Sequence, residues 1–254
     1  MWAVILGASS GFGAAAARAF AGAGYNIAGV HLDRRSGQAG VDALVADVRA
    51  AGREIKMFNI NAADDERRGE VLAALTAEIP PGGVQVLLHS LAFGTLSPFI
   101  GPKAVTRKQL EMTLDVMGNS LVYWAQDLVS ARLLGAGGRI FAMTSAGSQM
   151  AWPSYGPVSA AKAALESHCR QLAVELAPLG ITTNAVLAGV TRTAALDKIP
   201  GSEVLLEKAT ARNPSKRLTT PEDVASCLVE LARPGTGWLN GNILHVDGGE
   251  NVSG

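Results

Sequence analysis

The sequence predicts a doubly wound parallel α/β sheet of about seven strands with helices on both faces, folded as a single domain. Two observations carry this. Short apolar runs alternate with longer helix-forming stretches along the 254 residues, the order that builds a parallel sheet with crossover helices. Hydrophobic residues make up 48% of the chain and charged residues only 17%, so the chain can bury a full core against both faces of a sheet. No internal repeat, low-complexity tract or long linker divides it.

Taken in order, Ala3 to Leu6 is an apolar run suited to a buried parallel strand. It runs into Gly7-Ala8-Ser9-Ser10-Gly11-Phe12-Gly13 and then an alanine-rich helix former. Asn26–His31 is the second strand, and a helix follows over Val41–Ala51. Ile55–Ile60 is the third strand. The helix over Asp64–Glu78 opens on acidic residues that suit its dipole. Pro80-Pro81-Gly82-Gly83 breaks the chain before the fourth strand, Val84–Leu88. Lys103 to Leu134 reads as one long helical region, then Gly137-Gly138 leads to a strand at Arg139–Met143. A helix from Tyr155 to about Ala177 is closed by Pro178-Leu179-Gly180, and Ile181–Leu187 is the sixth strand. Ala194–Lys216 is helical, punctuated by proline and mixed in polarity, which reads as a mobile lid. Thr220 is placed to cap a helix with Pro221 at its first position. Ile243–Val246 makes the last strand and Asp247-Gly248-Gly249 a turn.

Composition excludes several functions. The formal net charge is zero, so neither nucleic acid nor an anionic membrane is expected as a partner. The apolar N-terminus is too short to span a bilayer and lacks a basic leader, which fits a cytoplasmic protein. Cys169 and Cys227 have no metal spacing and read as two buried free thiols. His31, His89, His168 and His245 form no ligand grouping, so no metal is expected.

Three stretches carry chemistry. A strand, a glycine turn and a helix in succession make a phosphate site. Small residues let the backbone approach a pyrophosphate, and the helix start presents unpaired N–H groups. A tight turn alone would also explain these glycines. The residues after the second strand, Asp33-Arg34-Arg35, lie where such folds meet the adenosine ribose. A carboxylate there suits a 2′-hydroxyl and guanidinium groups suit a 2′-phosphate. The two arginines tilt the balance to NADPH, with NADH the alternative. The third stretch is SAGSQMAWPSYGPVSAAK, residues 145–162. Tyr155 and Lys162 lie seven apart, near two helical turns, so one helix face can carry both. Pro157 is tolerated because the first turn of a helix has no intrahelical use for its N–H. A cation near a phenol favours the ionised form and makes it a better proton donor at neutral pH.

In order and spacing, GASSGFG at 7–13, Ser145, Tyr155 with Lys162, NAVLAGVTRT at 184–193 and HVDGG at 245–249 resemble the short-chain dehydrogenase/reductase family over essentially the whole chain. That resemblance implies a Rossmann-type fold, a nicotinamide cofactor and a homotetramer. Ketoreductases of the family place Tyr four residues before Lys, where this chain has Val158. Tyr–x6–Lys, HSLAF at 89–93 and AGVTRT followed by Ala instead resemble enoyl-acyl-carrier-protein reductases, here of an NADPH-dependent type with a GxxxGxG loop. By that resemblance Gly7, Ser10, Gly11, Phe12 and Gly13 hold the pyrophosphate. Asn59 and Ile60 border the adenine, and Ser90, Leu91 and Ala92 the nicotinamide ribose. Lys162 binds that ribose and assists Tyr155, Val190 and Thr193 hold the carboxamide, and Ser145 matches the family's catalytic serine. His89 reads as a backbone-contact position, not a base. The helical asparagine many members use is matched by Met117, with Asn119 two residues away. The activity implied is reduction of an enoyl thioester on a small or carrier-bound acyl substrate. A carbonyl or 3-ketoacyl reductase is the alternative, and a non-catalytic dinucleotide-binding protein a second one.

Overall fold

The computed structural model describes residues 1–199 and 201–253. Seven strands form one parallel sheet: β1 Trp2–Leu6, β2 Asn26–His31, β3 Ile55–Asn59, β4 Val84–His89, β5 Leu134–Thr144, β6 Thr182–Ala188 and β7 Ile243–Val246. Their order is β3-β2-β1-β4-β5-β6-β7. The first three strands march one way from β1, and β4 returns to its other side. The strand order therefore reverses between β1 and β4, and the crevice outside their carboxyl ends is where such sheets take ligands.

Alternation along β1 feeds two core layers, as a strand's period of two requires. Val4 and Leu6 pack with Val71 and Leu75, with Leu121, Trp124 and Leu128, and with Leu165 and Leu172. These belong to helices α3 Asp65–Thr76, α5 Ser120–Ser130 and α6 Gly156–Leu176. Ala3 and Ile5 pack on the other side with Ala16, Phe20, Leu44, Val224 and Leu228, from α1 Gly11–Gly22, α2 Gln38–Ala50 and α8 Pro221–Leu231.

The single long helix expected over 103–134 is instead three pieces: α4 Arg107–Leu114, a π-helical segment Asp115–Asn119, and α5. Thr106 and Gln109 form a reciprocal capping box that fixes the start. At Gly118 a Cβ would stand 3.2 Å from the Ala161 carbonyl oxygen, so the wide turn lies where α6 packs tightly against it. The strand expected at Arg139–Met143 starts five residues earlier, at Leu134, with a register shift opposite Val84/Val86. Cys169 is buried, but Cys227 is exposed, contrary to the expectation for both. Val224, Ala225 and Leu228 take the inner face of α8 and leave Cys227 outside. Thr220 does cap α8, with Asp223 closing the box.

Candidate active site

The glycine turn is built for close backbone approach. Gly7 has φ +84°, and a Cβ on it would lie 2.3 Å from the Ser90 carbonyl oxygen. A Cβ on Gly13 would lie 2.0 Å from the Gly7 carbonyl oxygen. Both glycines thus let the turn nest between β4 and α1. Gly11, at φ +53°, has space in front of it, the nearest atom being Thr193 Cγ2 at 3.7 Å. Ser10 is the N-cap of α1, its hydroxyl makes no capping bond, and no acidic residue occupies the first turn. The first helical bond runs from the Ala14 N–H to Ser10, which leaves the N–H groups of Gly11, Phe12 and Gly13 ahead of it. That donor set, with an open front, fits a dinucleotide pyrophosphate. A cleft of about 390 Å³ opens beside it, lined by Ser10, Gly11, Arg192 and Thr193 among others.

At the end of β2, the Asp33 backbone is clamped on both sides by the Asn59 amide, each bond 3.0 Å. Its carboxylate lies 2.8 Å from His31 Nδ1. Arg34 and Arg35 are exposed and form no ion pair among the described residues. Asn59 therefore acts on the shape of the loop, while the two guanidinium groups are available to a ligand. Ile60 is half-buried and donates its N–H to His31.

At the switch point, the Ser90 N–H bonds to Leu6 and joins the ends of β4 and β1. Lys162 is buried and donates from Nζ to the Met143 carbonyl at 2.6 Å and the Leu91 carbonyl at 3.2 Å. Burial lowers its pKa to about 8, with Cys169 and Glu166 acting against the shift. Glu166, one turn further along α6, is itself buried and accepts a 2.6 Å bond from Thr144 Oγ1. Neither Glu166 nor Thr144 stands out in the sequence; only the helix spacing from Lys162 hints at the first.

Tyr155 is the N-cap residue of α6, with Pro157 in the first turn, as its spacing from Lys162 implies. Its hydroxyl lies 3.3 Å from Ser145 Oγ. A Cβ on Gly147 would sit 2.3 Å from the Tyr155 ring, so that glycine is needed for the ring to lie where it does. Burial raises the Tyr155 pKa and the Ser145 bond lowers it in part. Lys162 takes no part in that balance, in keeping with the lengthened Tyr–Lys spacing.

His89 is fully buried at the end of β4. Ser120 Oγ donates to the Val116 carbonyl and so accepts from His89 Nε2 at 3.0 Å. Nδ1 has no partner among the described residues. Burial, with the charge of Lys162, lowers the His89 pKa to about 3, and an imidazole whose protonated form is this acidic makes a poor base at pH 7. Met117 is buried against Val158 and Ala161, and Asn119 bonds His168 at 3.1 Å; neither supplies a hydroxyl relay.

In the turn after β6, the Val190 N–H is already given to Glu250 Oε2 at 3.0 Å. Thr193 Oγ1 accepts the Leu196 N–H at 3.2 Å and opens a 3₁₀ turn, Leu196–Lys198. Helix α7, Ser202–Arg212, follows, and its Gly201 N-cap packs 3.6 Å (from a Cβ position) from Trp152. Arg192 forms a bidentate pair with Glu203 of α7, both bonds 3.1 Å. Glu250 lies in no motif, and no sequence signal marked it.

A family model described as enoyl-(acyl carrier protein) reductase matches residues 7–251. The chain belongs to this family. The enoyl-[acyl-carrier-protein] reductase [NADH] of Aquifex aeolicus is 32% identical over 174 residues, 68% of this chain and 64% of the relative. That match spans less than two thirds of the relative's length. The L-rhamnose 1-dehydrogenase (NAD(P)(+)) of Azotobacter vinelandii is 31% identical over 250 residues, 97% of this chain and 94% of the relative. Among solved structures, the Aquifex aeolicus enoyl-[acyl-carrier-protein] reductase (NADH) superposes with a TM-score of 0.85 at 25% identity, over 99% of this chain and 96% of that one. The enoyl reductase family thus accounts for the seven-stranded fold and for a nicotinamide dinucleotide as cofactor. No described helix is long and apolar enough to cross a membrane, and no group of three or more metal-ligating side chains occurs among the described residues.

Proposed function

We propose that the chain is an NAD(P)H-dependent reductase of the C2=C3 double bond of an enoyl thioester, with the acyl group on a carrier protein or a smaller thiol. The observation that carries this is the separation of duties along α6. Lys162 is turned to the Leu91 and Met143 carbonyls, while Tyr155 pairs with Ser145 and keeps a raised pKa. A phenol held protonated, with no contribution from the cation to its pKa, is a hydrogen-bond donor more than a proton relay. Enoyl reduction asks for that. Hydride is accepted at C3 and negative charge grows on the thioester oxygen, three bonds away, where a fixed donor stabilises it. Placing Tyr three residues earlier than Val158 moves the donor about 4.5 Å along the helix at 1.5 Å per residue.

The bound dinucleotide supplies the hydride. Gly7, Ser10, Gly11, Phe12 and Gly13 cradle its pyrophosphate, Asn59 and Ile60 flank the adenine, and Ser90 to Ala92 with Lys162 hold the nicotinamide ribose. Val190 and Thr193 belong to the turn that receives the carboxamide. NADPH is the preferred form, because Arg34 and Arg35 lack carboxylate partners among the described residues while Asp33 is engaged by His31. A homotetramer in the cytoplasm completes the reading drawn from the family resemblance.

A carbonyl reductase is the second reading. It is favoured by the Ser145–Tyr155 hydroxyl pair, which could address a ketone oxygen, and by the sugar dehydrogenase matched over 97% of this chain. The two are separated by following NADPH and NADH oxidation with a 2-enoyl thioester and, beside it, a 3-ketoacyl thioester. Turnover of the enoyl substrate alone supports the proposal; turnover of the keto substrate alone refutes it. Oxidation with neither would favour a non-catalytic binding protein.

A further inference from the structure

The sheet runs out just before the carboxamide turn. Ala188, the last residue of β6, pairs with Val246, the last of β7, and the Gly189 N–H still reaches the Val246 carbonyl at 3.2 Å. The next amide, that of Val190, has no strand to pair with, and an unpaired N–H away from water is costly. Glu250 supplies the acceptor, its Oε2 lying 3.0 Å from the Val190 nitrogen.

The tail is shaped to deliver that carboxylate. Gly248 and Gly249 take φ +62° and +86° in succession, turning the chain back over β6. The Asp247 carboxylate fixes the turn by accepting the N–H groups of Gly249 and Asn251, each at 2.9 Å. Asn213 holds the Asp247 carbonyl at 2.9 Å, and Arg212 donates to the carbonyls of Ser253 and Asn251. Gly189 leaves the room: a Cβ there would lie 2.9 Å from Glu250 Oε2 and 2.3 Å from Thr219 Oγ1. Of the charged groups nearby, Asp247 opposes the Glu250 carboxylate and Arg212 supports it, while the Val190 bond is the largest effect working against its burial. In front, the turn closes on itself through Thr191 Oγ1, which donates to the Gly189 carbonyl at 2.9 Å. Thr193 meanwhile stands against Gly11 of the pyrophosphate loop.

We propose that Glu250 is a positioning residue. Through the Val190 N–H it holds the turn 188–193 in the shape that receives the carboxamide of the nicotinamide half of the cofactor. This rests on the nicotinamide reading above.

The test compares two substitutions of similar length. Glu250→Gln keeps an acceptor for the Val190 N–H, and Glu250→Met keeps the packing but removes it. Affinities for NADPH and for 2′-phospho-ADP-ribose, which lacks the nicotinamide, are measured by calorimetry on the full chain. Glu250→Met is expected to weaken NADPH by about tenfold, the low end for a lost hydrogen bond to a charged group, and the fragment by no more than about twofold. Glu250→Gln is expected to keep both within about twofold of the parent. Equal NADPH affinity in parent and Glu250→Met overturns the assignment, as does parallel loss of NADPH and fragment, or Glu250→Gln behaving as Glu250→Met. A parent chain that binds no nicotinamide dinucleotide overturns both this assignment and the reading it rests on.

Discussion

Lys162 sets a pH limit that can be read directly from the structure. Its ammonium is buried and held by two carbonyl oxygens, and burial lowers its pKa to about 8. At pH 7 about nine-tenths of the chains carry the charge and at pH 9 about one-tenth. If hydride transfer needs the charged form, kcat/KM for the cofactor falls about tenfold between those values, because that ratio reports groups of the free enzyme. Tyr155 does not contribute in this window, since its pKa is raised from 10.0. Loss of stability through Lys162 itself cannot imitate the effect. Between about 8 and the ordinary lysine value of 10.5, the folded chain binds fewer protons at Lys162 than the unfolded chain, so this group adds stability as pH rises. The assay is initial-rate oxidation of NADPH with a 2-enoyl thioester from pH 6.5 to 10, for the parent and for Lys162→Arg. An arginine stays charged throughout, so the limb near pH 8 should vanish in that variant, whatever its absolute rate. The titration of Lys162 itself, followed by carbon NMR of its labelled side chain, gives a second reading. A parent rate flat to pH 10, or a limb near 8 that survives in Lys162→Arg, would refute the reasoning.

Three further outcomes follow from the site. Tyr155→Phe should lower kcat by roughly 10²–10³-fold, the usual loss for one oxyanion donor, with little change in KM; steady-state kinetics with a saturating enoyl thioester checks this, and an equal rise in KM would mean the phenol only binds substrate. Arg34→Ala with Arg35→Ala should weaken NADPH by roughly 1–3 kcal/mol and leave NADH unchanged, a difference that titration calorimetry resolves and that equal loss for both cofactors contradicts. His89, whose pKa is lowered from 6.5 to about 3, binds a proton more readily in the unfolded chain, so stability is lost as pH falls below 6.5. Going from pH 7.5 to 5.5 should cost about 1.4 kcal/mol through this group. The pH dependence of urea unfolding should flatten by that amount in His89→Asn; an unchanged slope would place the imidazole in contact with water.

Much of the frame was legible because it depends on local pattern. The boundaries of β2 and β7 follow from short apolar runs closed by turn residues, and Thr220 with Pro221 announces the start of α8. Tyr155 and Lys162 could be placed on one helix from their spacing alone. What escaped the sequence depends on contacts between distant segments. The π-helical segment at Asp115–Asn119 exists where Gly118 meets the Ala161 carbonyl, and nothing in the run VMGN marks it. Gly7 and Gly13 read as phosphate-loop glycines, yet what demands them most is the nearness of Ser90 and of the turn itself. Tyr and Lys on one face invite a lowered phenol pKa, but their longer spacing weakens that influence, and Lys162 is turned to backbone carbonyls of β5 and the segment after β4. Glu250 could be found only once the tail was seen to fold back on Val190.

The central claim is that this site delivers hydride to carbon, at a distance from the oxygen that takes up the charge. It is tested most directly by turning over an enoyl thioester with dinucleotide deuterated at the transferred position and locating the label by NMR. The account predicts deuterium at C3 of a saturated thioester. Deuterium on a hydroxyl-bearing carbon from a keto substrate, with enoyl thioesters inert, would contradict it.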